Sequence, residues 1–237
     1  MDYDCAGRTH VGLRRKINED RLLSLPDRGL WVVADGMGGH DAGEVASGML
    51  VDRLGRLAAE PDLARRVEGA VAAVVEVNHQ LIELARSDMS PRTIGSTVVG
   101  VAIEGDQFRC FWAGDSRAYR LRAGRIKQLS KDHSLVQGLV EAGMLSPEEA
   151  PTHPNANVIT RAVGVIERLV VDMVSGDVRA GDIFLLGSDG LTRLVDDEEL
   201  AMVIGGLAPG DAADRLIDRV LERGAPDNVT LVIVRIV

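Results

Sequence analysis

The chain has 237 residues, 46% of them hydrophobic and only 3% aromatic, with 36 acidic side chains against 27 basic ones and a net charge of −9. That supply of Val, Leu, Ile and Ala is enough for a sizeable core, which excludes global disorder, and the length suits one domain spanning 1–237. An acidic chain without a basic stripe argues against nucleic-acid binding. No apolar run approaches the ~18 residues of a membrane helix, and the Met-Asp-Tyr-Asp-Cys start is not a signal peptide.

In chain order, residues 29–35 (Gly-Leu-Trp-Val-Val-Ala-Asp) predict a buried strand ending in a carboxylate. Two helices follow. Val45, Ala46, Met49, Leu50, Leu54, Leu57 and Ala58 share one helical face, and Ala70, Val71, Val74, Val75, Leu81, Ile82 and Ala85 share another, with Pro61 placed to open the second helix. Strands are predicted at 96–103, 107–113, 117–122 and 125–129, with Gly105-Asp106 and Ala123-Gly124 as hairpin turns. Segment 133–165 departs from this rhythm: a short helix from Leu135 to Ala142, then Gly143, Pro147, Pro151 and Pro154, which predicts a flap. Strands resume at 169–175 and 182–188, helices fit 196–204 and 210–223, and residues 229–237 form a closing strand, with no fused sensor domain expected after it. Strands, a helix pair, strands, a helix pair and a strand predict two packed sheets with helices outside.

Four apolar strands border an aspartate beside glycine or asparagine: Asp35-Gly36, Gly114-Asp115, Asp189-Gly190 and Asp227-Asn228. Any one of them reads as a turn. Four together point to carboxylates held rigidly at strand ends, and such a convergence repels itself unless cations sit within it. Oxygen donors alone favour Mg²⁺, Mn²⁺ or Ca²⁺ over zinc. The five histidines, His10, His40, His79, His133 and His153, show no zinc-binding spacing. The glycine-rich stretch Asp35-Gly-Met-Gly-Gly-His40 lacks the Gly-Lys-Ser/Thr ending of a phosphate loop, and no serine sits in a Gly-x-Ser-x-Gly elbow. Cys5 and Cys110 form no CxxC pair and are expected to be free thiols in a reducing cytoplasm.

With these residues in place, the sequence resembles the type 2C family of metal-dependent Ser/Thr protein phosphatases, in its compact bacterial branch. The resemblance rests on Gly12-Leu-Arg-Arg15-Lys-Ile-Asn18-Glu-Asp20, Val33-Ala-Asp35-Gly-Met-Gly-Gly-His40, Gly95-Ser-Thr97, Ala113-Gly-Asp115-Ser-Arg-Ala-Tyr119 and Asp132-His-Ser-Leu135. It continues through His153-Pro, Asn157-Val-Ile-Thr-Arg161-Ala-Val-Gly164, Gly181-Asp-Ile-Phe-Leu-Leu-Gly-Ser-Asp189-Gly-Leu191 and Asp227-Asn-Val-Thr230. These segments fall in the family's order and cover nearly the whole chain.

The resemblance implies an α+β fold, a four-layer αββα sandwich of two mainly antiparallel sheets flanked by helix pairs, with a two-metal centre of Mn²⁺ or Mg²⁺ between the sheets. It implies that Asp35 bridges both ions, that the Gly36 carbonyl binds one, and that Asp189 and Asp227 complete the other. Asp115, with Asp189, would hold a third, weaker ion; Glu19 and Asp20 would act through water; Arg15 would bind the substrate phosphate. A hydroxide shared by the ions would then attack phosphorus in line, with no phosphoenzyme. Relatives from higher organisms carry a histidine directly after the Asp-Gly pair as acid for the leaving group; here that place is Met37, which leaves His40 as a candidate of open role. The implied activity is a phosphoserine/phosphothreonine phosphatase that reverses a bacterial Ser/Thr kinase, cytoplasmic and monomeric, without membrane or nucleic-acid partners. A binding-only pseudophosphatase is the competing reading, opposed by the filled aspartate positions.

Overall fold

The computed structural model describes residues 2–38, 42–87 and 93–237. Among them run the strands β1 (Tyr3–His10), β2 (Asp20–Leu25), β3 (Leu30–Met37), β4 (Gly95–Ser96), β5 (Val98–Glu104), β6 (Gln107–Ala113), β7 (Arg117–Arg122), β8 (Arg125–Gln128), β9 (Asp172–Asp177), β10 (Ile183–Gly187) and β11 (Val229–Ile236). The helices are α1 (Ala42–Gly55), α2 (Leu63–Ser87), α3 (Leu135–Glu141), the single turn α4 (Asp189–Thr192), α5 (Asp197–Gly206) and α6 (Pro209–Glu222).

All strand pairs are antiparallel and form two sheets, ordered β1-β11-β10-β7-β8 and β2-β3-β5-β6-β9, with β4 prolonging the pairing on β3. Three apolar clusters set the layers. Trp31, Val33, Val99, Val101 and Phe108 of the second sheet pack on Phe184, Leu186, Val232 and Val234 of the first, closing the space between sheets. The outer face of the second sheet carries α1 and α2 through Ala46, Leu50, Leu54, Val67, Val74 and Leu81. The outer face of the first carries α5 and α6 through Leu200, Ile204, Leu216 and Val220. The result is the αββα sandwich. Because period-2 alternation sends successive side chains of one strand to opposite faces, β3 feeds Trp31 and Val33 to the inter-sheet core and Val32 and Ala34 to the helices.

The hairpin predictions hold: Glu104 pairs with Gln107 around Gly105-Asp106, and Arg122 with Arg125 around Ala123-Gly124, both of which take positive φ (48° and 76°) as a type I′ turn requires. Other expectations need correction. The edge strands β1 and β2 were not anticipated from the sequence. The second helix starts at Leu63, where the Asp62 carboxylate accepts from the Arg65 N–H at 2.8 Å, so Pro61 precedes the cap and does not open the helix. Val45 faces solvent, being 43% exposed, while Ala46 and Leu50 carry the buried stripe. Strand β9 begins only at Asp172; Leu169 and Val171 reach the helical layer from the loop before it. The cysteines are unpaired, Cys110 in the core and Cys5 half-buried on β1. Among the described residues no helix is long and apolar enough to cross a membrane.

Candidate metal centre

The β2–β3 register sets Asp20 directly opposite Asp35. Like charges facing each other across a ladder are destabilising, and here one is almost wholly buried, Asp20 being 1% exposed. Asp35 lies inside β3, two residues before its end, rather than at the strand terminus that the sequence suggests. Its backbone is clamped: its N–H donates to Thr97 Oγ1 (3.1 Å), and its carbonyl accepts from Thr97 N–H (2.8 Å) and Ser96 Oγ (3.0 Å). Burial and the charges of Asp20, Asp189, Asp115 and Asp227, in that order, hold the Asp35 carboxyl well above the usual carboxylate range. Burial likewise pushes Asp20 up to about 7, against the pull of hydrogen bonds that include one from Ser188 Oγ at 2.9 Å.

The facing sheet supplies the other carboxylates. Asp189 opens α4 directly after β10, and Asp227 precedes β11. Gly190 lets these two turns approach: a Cβ there would sit 1.9 Å from the Asn228 carbonyl oxygen. The Asp35 carboxyl lies near enough to Asp20 and Asp189 for their charges to bear on it. Asp189 is raised by burial and by Asp227, with Arg193 opposing. Asp115, at the β6–β7 turn and 5% exposed, is pushed up to about 7 by burial and by Asp189. Its Oδ1 is buried without a hydrogen-bond partner.

Two arginines engage this cluster. Arg15 grips Asp227 with Nε to Oδ1 and Nη2 to Oδ2, both at 2.8 Å, which singles it out from its neighbours Arg14 and Lys16. Arg193 Nη2 lies 2.7 Å from Asp189 Oδ2 and 3.4 Å from Asp115 Oδ2. Among the described residues no group of three or more His, Cys, Asp or Glu side chains is arranged closely enough to hold a metal ion. The chemistry of the donor set nevertheless fits divalent cations. It is all oxygen, it gathers more carboxylates than two arginines neutralise, and it contains an opposed carboxylate pair and an orphaned buried oxygen. Gly36 is closely packed: a Cβ there would meet the Gly43 carbonyl oxygen at 2.1 Å, so the α1 N-terminus sits against the Gly36 backbone as only glycine permits.

Glu19 spends Oε1 on the Gly43 N–H (3.0 Å), at the start of α1, while staying near enough to Arg15 and Asp227 to feel both charges. His40 lies outside the described residues. Met37 lies with its Cε against Gly95, and the helical His79 is exposed.

Three supports were not anticipated. Asn228 ties the Arg15 loop to β11: its Oδ1 accepts from Glu19 N–H (2.9 Å) and its Nδ2 donates to the carbonyls of Val11 (2.8 Å) and Ile17 (3.0 Å). Thr97 Oγ1 links the Asp35 backbone to Ser116 Oγ, at 2.7 Å. His133, at the start of segment 133–165, accepts from Gly114 N–H through Nδ1 (3.1 Å), which leaves Nε2–H to donate to Asp172 Oδ2 (3.0 Å). The sequence signal for all three was their place in the matching segments Gly95-Ser-Thr97, Asp132-His-Ser-Leu135 and Asp227-Asn-Val-Thr230. A cleft of about 710 Å³ runs from Asp115 and Asp189 out between Gln137, Val140 and Pro151 of segment 133–165 and the α4–α5 turn.

The protein phosphatase 2C family profile matches residues 6–230. The Serine/threonine protein phosphatase PstP of Mycobacterium tuberculosis is 37% identical over 98% of this chain, which spans only 45% of that relative's length. Among solved structures, PppA, described as a key regulatory component of T6SS in Pseudomonas aeruginosa, is 44% identical with a TM-score of 0.90, covering 99% of this chain and 98% of its own. The catalytic domain of PstP in complex with 2 manganese ions is 34% identical with a TM-score of 0.88, covering 98% and 97%. With the profile running from β1 into β11 and the sandwich reproduced at this level, the chain belongs to the protein phosphatase 2C family.

Proposed function

We propose that this chain is a single-domain, metal-dependent phosphatase that hydrolyses phosphoserine and phosphothreonine in proteins. The observation that carries the reading is the meeting of Asp20 and Asp35 from one sheet with Asp189 and Asp227 from the other, with the Arg15 guanidinium at the rim. Asp35, the Gly36 carbonyl, Asp189 and Asp227 would hold two Mn²⁺ or Mg²⁺ ions, with Asp20 and Glu19 acting through water. The solved PstP catalytic domain with 2 manganese ions supports the choice of ion. Bound there, such ions supply a water of lowered pKa and neutralise charge on the transferring phosphoryl group.

The chain's own groups do the rest. Asp20, fixed by Ser188, stands opposite Asp35 in the β2–β3 register. Arg15 exchanges the Asp227 carboxylate for two phosphate oxygens, a geometry its planar fork suits equally well. Asn228 keeps the loop carrying Arg15 in register with Asp227. His40 is proposed, on its sequence position alone, as the acid for the leaving oxygen. The flap wall of the cleft, Gln137 and Val140, would choose among protein substrates, because cleft surface beyond the ligands is free to differ between relatives. A role opposing a Ser/Thr kinase agrees with the names of the relatives, which are Ser/Thr protein phosphatases; a cytoplasmic monomer is the accompanying proposal. The experiment that tests the substrate class compares peptides differing only in carrying phosphothreonine, phosphoserine or phosphotyrosine, at fixed Mn²⁺. Preference for the first two is expected; preference for phosphotyrosine would refute the assignment.

A further inference from the structure

Arg193 stands where the family resemblance implies a third cation. It follows Asp189 by four residues, so both side chains project from one face of the α4 turn. Its Nη2 reaches Asp189 Oδ2 at 2.7 Å and Asp115 Oδ2 at 3.4 Å. Those two carboxylates are the pair expected to hold the weaker ion. We propose that the Arg193 guanidinium is the resident counter-cation of this outer pair, so that the centre operates with two ions and takes a third only by displacing Arg193. The inference rests on the two-ion reading above.

Several observations favour a tethered cation over a dissociable one. Asp189 and Asp115 have side chains 14% and 7% exposed, so the pair needs a positive partner to stay charged. A guanidinium offers five donors in one plane and cannot deprotonate, so it bridges two carboxylates at any working pH. It is also covalently attached one helical turn away, and its effective concentration at the pair exceeds that of a weakly held free ion. The other arginine lining this end of the cleft, Arg117, is committed to Asp132, with Nη2 2.7 Å from Oδ2, and leaves the outer pair to Arg193. Asp115 Oδ1 has no partner. An entering ion could therefore gain that oxygen, but it would have to evict Arg193 from both Oδ2 atoms to complete its shell. The consequence is an activity curve against Mn²⁺ that saturates with the inner ions, and a cleft floor whose positive charge does not depend on millimolar metal.

The test counts bound Mn²⁺ by equilibrium dialysis with electron paramagnetic resonance readout, which does not depend on turnover, in the wild type, Arg193→Ala, Arg193→Gln and Arg193→Lys. The glutamine variant keeps bulk and hydrogen-bonding capacity in case the alanine variant folds poorly, and thermal melts in chelator establish folding for each. The wild type should hold two ions, Ala and Gln should bind a third at least tenfold more tightly than the wild type does, and Lys should fall between. A third ion bound equally by wild type and Arg193→Ala would overturn the proposal, as would a count of two in every protein. A wild type holding fewer than two ions would sink the underlying two-ion reading, and this inference with it.

Discussion

Asp20→Asn isolates the repulsion at the heart of the site. Asparagine keeps the shape, and its Oδ1 can still accept from Ser188 Oγ, so the substitution removes little beyond a buried negative charge opposite Asp35. Raising a carboxyl from its ordinary value of 3.8 to about 7 makes the charged form dearer by about 4 kcal/mol. Asp35 and Asp189 titrate in the same cluster and share protons with it, so we take roughly half, ~2 kcal/mol, as the effect of this one group. The sign follows from the raised value. Between pH 3.8 and about 7 the folded, metal-free protein binds more protons than the unfolded chain, so its stability falls as pH rises, and the penalty is complete above about 7. Asp20→Asn lacks that penalty. In excess chelator at pH 8 it should melt about 4–8 °C above the wild type, the conversion expected for a domain of this size, and the difference should shrink toward zero by pH 4. With saturating Mn²⁺ the order should narrow or reverse, because the wild-type carboxylate then faces cations. Calorimetric melts at pH 4, 6 and 8, with and without Mn²⁺, measure this directly. A variant that melts at or below the wild type at pH 8 in chelator would refute the claim that Asp20 is held against its charge.

Asp35→Asn should abolish Mn²⁺-dependent hydrolysis of a phosphothreonine peptide while the circular-dichroism spectrum stays native, since the position would touch both inner ions; near-normal turnover would remove Asp35 from its bridging place. Arg15→Ala should lower kcat/KM by the equivalent of about 1.5–3 kcal/mol, the worth of a charge-assisted contact, whereas calorimetric Mn²⁺ affinity should hold or rise because Asp227 is released; a collapse of metal binding would make Arg15 structural. Val140→Ala and Gln137→Ala, on the flap wall of the cleft, should alter phosphopeptide hydrolysis several-fold and leave p-nitrophenyl phosphate within a few-fold; equal losses on both substrates would mean the flap supports the metal centre itself.

The central strands were legible because both their faces are apolar: β5, β10 and β11 read directly as runs of Val, Leu and Ile. β1 and β2 escaped because each is an edge strand of its sheet and half-buried along most of its length, so Asp4, Arg8, Arg21 and Ser24 interrupt the apolar alternation that marks a strand. That omission hid the Asp20–Asp35 register, which only strand pairing creates. The four aspartates were readable from residue type and repetition, although Asp35 proves to lie inside β3 and not in a turn. What they meet was not: Arg193 is distant from Asp115 in sequence, and Asn228 reaches Val11 and Ile17 across almost the whole chain. The engagement of Glu19 with the start of α1 was equally hidden, since it depends on the close approach of Gly36 to Gly43.

The account's central claim, that these carboxylates form a working metal centre, is tested most directly by the initial rate of phosphothreonine-peptide hydrolysis as free Mn²⁺ is varied over the purified protein. Excess chelator should silence the enzyme and Mn²⁺ should restore it along a saturating curve. Full activity in excess chelator would contradict the claim.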